Sequence, residues 1–383
     1  MVTRPSHTRH VWLALIAGAA LSTAVLQAQG GLHATPSVSI SQQYDSNVFS
    51  TPIAPQGDFI TRAAMGLGLE RESVLWTASV RYAQDMERFT EHRDLSSVAA
   101  RQRGTLALRY RRSPRTAWSG DAEIWRTETP SELNEVTGLT VSRASAQRLL
   151  GHASLNRHLS PVTAGTIDYT VTQDHLAGRT SATTQDAVAA VERRRSPRDT
   201  LTLRYRFREF LFTSATAAPT FTSNSHAITA GFSRAITRRL QLTVEAGPRV
   251  TNTTAAADVA ASIHYQRMPD LSVSYARTQA TVIGFPGVAD VQSVSASVEW
   301  PLWSAVRLRL SPGLFHSEMG PARADAYAVA LDITRPIVHD LSLDFSVTSN
   351  LQRGGFSPGT PNMSIARHVA LIRLIAGPSS LLW

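Results

Sequence analysis

TLTLRYRFREF, residues 200–210, is the stretch that decides the fold. Leu201, Leu203, Tyr205 and Phe207 fall on one face; Thr202, Arg204, Arg206 and Arg208 fall on the other. A period of two marks a β-strand with one apolar and one polar side. The same alternation recurs at 341–348, where Leu341, Leu343, Phe345 and Val347 oppose Ser342, Asp344, Ser346 and Thr348. It recurs at 326–334 and, more briefly, around Leu106, Leu240 and Val306. A soluble antiparallel sandwich also alternates, so the connections must distinguish the two.

Eight short polar or proline-bearing turns punctuate the chain, at 71–73, 112–115, 159–161, 195–198, 237–239, 267–270, 301–303 and 336–340. Longer segments rich in Ser, Thr, Gly, Asn and charge lie between them, at 91–100, 127–142, 214–225 and 354–362. Short turns alternating with long loops are the periplasmic and extracellular connections of an outer-membrane barrel. Eight turns bound nine hairpins. The expected fold is all-β: a transmembrane antiparallel up-and-down barrel of about 18 strands, within a range of 16–18. Trp76, Tyr82, Tyr110, Trp118, Tyr205, Trp300 and Trp303 are expected near strand ends, as an interfacial girdle. The last strand is expected over 364–375, which leaves the terminal Trp383 out of register behind Gly377 and Pro378.

Composition agrees. Of 383 residues only 17% are charged, against about a quarter in ordinary soluble domains. Beyond the N-terminus no apolar run is long enough for a membrane-spanning helix. All 38 basic residues are arginine, and cysteine is absent. That excludes disulfides, Cys-ligated metal, thiol nucleophiles, and P-loop or Schiff-base lysines. The first 28 residues read as a signal peptide: Arg4 and Arg9 precede an apolar run over 11–26, with Ala28 as the cleavage residue, and an uncleaved anchor is the alternative. Its removal takes two arginines from a formal charge of +9, leaving +7 on a barrel spanning 29–383. Export implies no nucleic-acid partner and places the chain in the bacterial outer membrane, against lipid and lipopolysaccharide.

Near the start of the mature chain stand Tyr44, Asp45, Ser46, Asn47, Val48 and Phe49, followed by Asp58 and Phe59. This segment resembles the first hairpin of a family of outer-membrane barrels encoded with capsular and exopolysaccharide biosynthesis systems. The close match covers about 25 residues, and porin-like barrels carry similar segments. The resemblance implies a non-catalytic component of polysaccharide production or export, without a cofactor, facing anionic polysaccharide and periplasmic export components. From the residues alone, Asp45, Ser46 and Asn47 can cap a turn or contact a carbohydrate or cation.

Two further readings compete. Arg109, Arg111, Arg204, Arg206, Arg208, Arg307 and Arg309 lie on the polar face and are expected in the lumen, because an arginine facing lipid near midplane costs about 2–4 kcal/mol. They are either candidate anion contacts of a general or anion-selective porin, or partners of Glu70, Asp168, Glu245, Glu299, Asp332 and Asp344 in wall-stiffening pairs. An enzyme alternative, a barrel hydrolase, rests on Asp174 and His175, with Asp85, Glu87, Glu91 and Asp94 as further acids that could also hold calcium. No Gly-x-Ser-x-Gly or His-Glu-x-x-His motif occurs.

Overall fold

The computed structural model describes residues 26–28, 31–213, 221–252, 254–303, 305–356 and 363–382. The targeting segment expected over 1–28 lies outside them apart from Leu26–Ala28, as does Trp383. Leu26–Ala28 is a short strand, β1, paired with the start of β2. Eighteen long strands follow: β2 (Leu32–Asp45), β3 (Asp58–Glu72), β4 (Trp76–Phe89), β5 (Ser97–Ser113), β6 (Thr116–Thr127), β7 (Ala146–Ser160), β8 (Thr163–Leu176), β9 (Ser181–Arg194), β10 (Asp199–Thr213), β11 (Phe221–Ala235), β12 (Leu240–Thr251), β13 (Thr254–Tyr265), β14 (Asp270–Thr281), β15 (Val288–Trp303), β16 (Val306–Met319), β17 (Ala322–Val338), β18 (Leu341–Gly354) and β19 (Ser364–Ala376). Each is antiparallel to its sequence neighbour, and β19 pairs with β2 from Val369↔Asp45 to Ala376↔Val38, closing the sheet into an 18-stranded barrel. Closure leaves no free edge strand, as a bilayer demands, although β13 and β14 pair only over 259–265 and 271–277.

The turns fall close to where polarity places them. One rim carries the connections 73–75, 114–115, 161–162, 195–198, 236–239, 266–269, 304–305 and 339–340. The opposite rim carries the longer ones, notably 46–57, 90–96 and 128–145. The short-turn rim is therefore the periplasmic one. Two expected turns move. Pro301 and Pro336 lie inside β15 and β17, where the register shifts between Pro301 and Trp303 and between Pro336 and Val338. A bulge absorbs a residue that cannot donate to the ladder, so the strand runs on past the proline.

Alternation sets the two faces as expected. In β10, Leu203 is 59% exposed on the outer surface, while Arg204 and Arg206 point inward to carboxylates. This outward apolar band is the lipid-facing surface of an outer-membrane protein. Trp76, Tyr110 and Trp118 are register partners across β4, β5 and β6, an aromatic row at the periplasmic edge. Tyr82 and Tyr205 depart from expectation: they stand halfway along β4 and β10. Their hydroxyls bond Gln84 (2.9 Å) and His226 (2.9 Å), the next outward positions toward the outer rim. The strands outrun the apolar band, so an interfacial tyrosine need not sit at a strand end.

The C-terminal segment turns into the lumen instead of extending β19. A 3-10 turn at Ser379–Leu381 brings Leu382 against Ala64 and Ile375. Gly66 and Gly68, inward-facing on β3, make the room: a Cβ at Gly66 would lie 2.8 Å from the Leu381 carbonyl oxygen.

Candidate functional site: the lumen and its outer plug

The connection 128–145 crosses the outer half of the lumen. Leu133 packs with Val141, Ala146, Leu176 and Ile283, while Leu139 packs on Val282, Ala289, Val291, Ala324 and Ala326 of the far wall. These small inward alanines give the loop a flat apolar seat. Asn134 Oδ1 accepts from the Ile283 amide (3.2 Å), and the Thr140 amide donates to Gln352 (2.7 Å), so the loop is tied to both sides. Its base is held by charge. Glu87 of β4 accepts from Arg143 of the loop (3.0 Å) and pairs with Arg62 of β3. Arg101 of β5 lies between Asp85 (3.5 Å) and the loop's Glu132 (3.4 Å). Few of these groups touch solvent, which strengthens each attraction relative to bulk water.

Below the plug, toward the periplasm, lies a chamber of about 510 Å³. Arg62, Asp85 and Arg101 line one side; Glu299, Arg307, Arg309, Asp332, Asp344 and Arg373 line the other; Ser379 of the C-terminal turn reaches it from below. Five arginines face four carboxylates, so the chamber wall is polar and nearly balanced in charge.

The expected arginine set is inward but is not gathered into one site. Its members sit on β5, β10 and β16, at roughly even thirds of an 18-strand circuit. Four are engaged: Arg204 with Glu245 (2.6 Å), Arg206 (3.5 Å) and Arg208 (3.1 Å) with Asp186, and Arg309 with Glu299 (3.1 Å). Arg208 also bonds Thr278 (3.0 Å). Arg109, Arg111 and Arg307 have no carboxylate in ion-pair range among the described residues, and all three lie toward the periplasmic mouth.

The segment carrying the family resemblance secures the outer end of the barrel seam. Asp45 pairs with Arg367 of β19 (2.6 Å) and accepts from the Asn47 amide (3.0 Å). Asn47 Nδ2 donates to the carbonyls of Thr51 (2.8 Å) and Ala366 (3.2 Å). The Ser46 hydroxyl accepts from the His368 amide (2.8 Å). Asp58 accepts the amides of Thr90, Glu91 and His92, organising the next loop. Phe49 packs beside Val48, Ile60 and Phe89, and Tyr44 lies against Phe59 outside (centroids 5.0 Å). Asp45, Ser46, Asn47 and Asp58 are each engaged by the fold itself.

The hydrolase alternative loses its pair. Asp174 faces the lumen and binds Arg148 (2.7 Å), while His175 faces outward to Ser181 (2.8 Å). Adjacent strand residues point to opposite sides, so the two cannot act as an acid–base couple. Asp85 and Glu87 are occupied by arginines, as above. The polar residues that polarity alone did not single out are Arg62, Arg101, Arg143 and Glu132. Arg62 and Arg101 were visible as strand residues in phase with the lumen; Arg143 and Glu132 carry no periodic signal because they lie in a loop.

No protein-family model matches the chain, and no curated protein matches it. Among solved structures, the siderophore receptor PirA from Pseudomonas aeruginosa aligns over 90% of this chain and 80% of its own, at 8% identity and TM-score 0.45. The outer membrane channel DcaP of Acinetobacter baumannii aligns over 93% of this chain and 100% of its own, at 10% identity and TM-score 0.45. The FrpB iron transporter from Neisseria meningitidis (F5-1 variant) aligns over 85% of this chain and 64% of its own, at 7% identity and TM-score 0.49. At such scores and identities these likenesses carry no functional argument.

Proposed function

We propose that this protein is a non-catalytic outer-membrane conduit for polar solutes, serving exopolysaccharide or capsule export. The observation that carries the conduit reading is the polar chamber on the periplasmic side of a closed barrel, capped by a loop held through ion pairs. The export reading is supported by the Tyr44–Phe49 and Asp58–Phe59 resemblance. An anion-favouring porin is the second reading, supported by Arg109, Arg111 and Arg307. Guanidinium groups stay charged at physiological pH and suit carboxylates, and weak multi-site attraction lets a solute move on.

Reversal potentials in planar bilayers at low salt test the anion-favouring reading. Anion preference is expected in the wild type, reduced by R109Q/R111Q/R307Q together and screened by salt. Cation preference, or no change in the triple variant, overturns the anion reading. Deletion in the native host should lower surface polysaccharide if the export reading holds; unchanged polysaccharide leaves the porin.

A further inference from the structure

The arginines on or beside the tips of the periplasmic turns are confined to one part of the rim. Five consecutive short connections, from β5–β6 round to β13–β14, form a continuous arc. Arg112 and Arg115 frame the first, Arg195 and Arg198 the third, Arg238 and Arg239 the fourth, and Arg267 stands on the fifth. All seven are exposed. None has a carboxylate in ion-pair range among the described residues, whereas Arg234, just above them, is paired with Asp199 at 3.6 Å. The remaining three short turns differ. They carry Val74 and Leu75, His339 and Asp340, and Ala305 on the turns themselves; arginines stand only on the adjoining strands, Arg71 over the Trp76 ring at 5.5 Å, Arg307 on the chamber, and Arg335 on β17.

Apolar side chains stand among these arginines. Leu159 and Val162 flank the second turn of the arc, Ile236 begins the fourth, and Met268 is 69% exposed on the fifth. Exposed apolar tips beside unpaired arginines on a rim that faces water are the composition of an interface rather than of free turns. Neighbouring hairpins are about 10 Å apart, from a strand spacing near 4.8 Å. The five turns thus span about 40 Å, and a strip about 20 Å wide along them is about 800 Å², one partner's share of a standard protein interface.

We propose that this basic arc is the docking surface for an acidic periplasmic protein. A phospholipid shell surrounds a barrel on all sides and meets outward strand residues, which explains neither the confinement to one arc nor charge on the turn tips. A soluble acidic glycan explains the arginines but has no use for Leu159, Ile236 and Met268. A protein with a carboxylate-rich face and an apolar centre uses both, with the charges steering encounter and setting orientation. The inference needs only the orientation of the rim and holds for any cargo.

The test is photo-crosslinking in the native host, with a photoreactive phenylalanine placed singly at Arg198 and Arg239 in the arc and at Val74 and His339 outside it. The expected result is a protease-sensitive adduct of one discrete mass at 198 and 239, absent at 74 and 339, whose peptides come from a protein of acidic surface. In an R115E/R195E/R238E background its yield should fall at least tenfold. Heat-modifiable migration of that variant shows that the barrel itself is intact, since all three positions are exposed turn residues. No protein adduct at 198 and 239, equal yields at all four positions, insensitivity to the charge reversal, or a lipid or glycan adduct in place of protein would each overturn the proposal.

Discussion

Glu87→Gln is the substitution that most directly tests how the plug is held. The Glu87 side chain is 2% exposed and lies within ion-pair range of Arg62, Arg101 and Arg143. At an effective dielectric near 20, a unit charge pair at 4 Å attracts by about 4 kcal/mol. Desolvation offsets much of this, and removing one partner of a buried pair costs about 3–5 kcal/mol net. Gln keeps an oxygen that can accept from the arginines, which places this substitution at the lower end, about 3 kcal/mol. Equilibrium unfolding in urea from lipid vesicles measures that loss. A double-mutant cycle with Arg143→Gln isolates the contact to the loop, with an expected coupling of about 1–3 kcal/mol. Because Arg143 belongs to the 128–145 connection, the same variant should raise the frequency of open-channel excursions in single-channel records. A loss below about 1 kcal/mol, with unchanged current traces and no coupling to Arg143, would mean that the apolar seats of Leu133 and Leu139 hold the loop without the charges.

Leu203→Arg should impair folding into bilayers by about 2–3 kcal/mol, because this outward residue meets lipid within the apolar band. Arg204→Leu should be milder, because Arg204 is partly exposed and Glu245 keeps its hydrogen bond from Thr229; equal effects would mean that the Arg204–Glu245 pair matters as much as the lipid-facing surface. Asp45→Ala should leave Arg367 without its partner in a site where Asp45 is almost fully buried; a loss of about 3 kcal/mol is expected, with earlier proteolysis near the β19–β2 seam, and intact resistance would deny the segment its closing role.

The sequence by itself determined the strand faces, the turns and hence the strand number. Each of these follows from local chemistry: a period of two in residues 200–210, and polar clusters where chains reverse, although Pro301 and Pro336 mark bulges a few residues before their turns. It also determined that Arg204, Arg206 and Arg309 point inward, because the cost of an arginine in lipid decides the face of a strand without knowledge of its neighbours. Only the tertiary structure decided what those arginines do. Arg204 and Glu245 stand on strands two apart, and their pairing depends on register summed through β11. The same holds for Asp45 and Arg367, which meet because the first and last long strands close on each other. Loop 128–145 gave no periodic signal, so its course through the lumen, onto alanines of β15 and β17, was invisible until the barrel set those residues facing it. Asp174 and His175 show the converse: adjacent in sequence, they are separated by the wall itself, because successive side chains of a strand belong to different solvents.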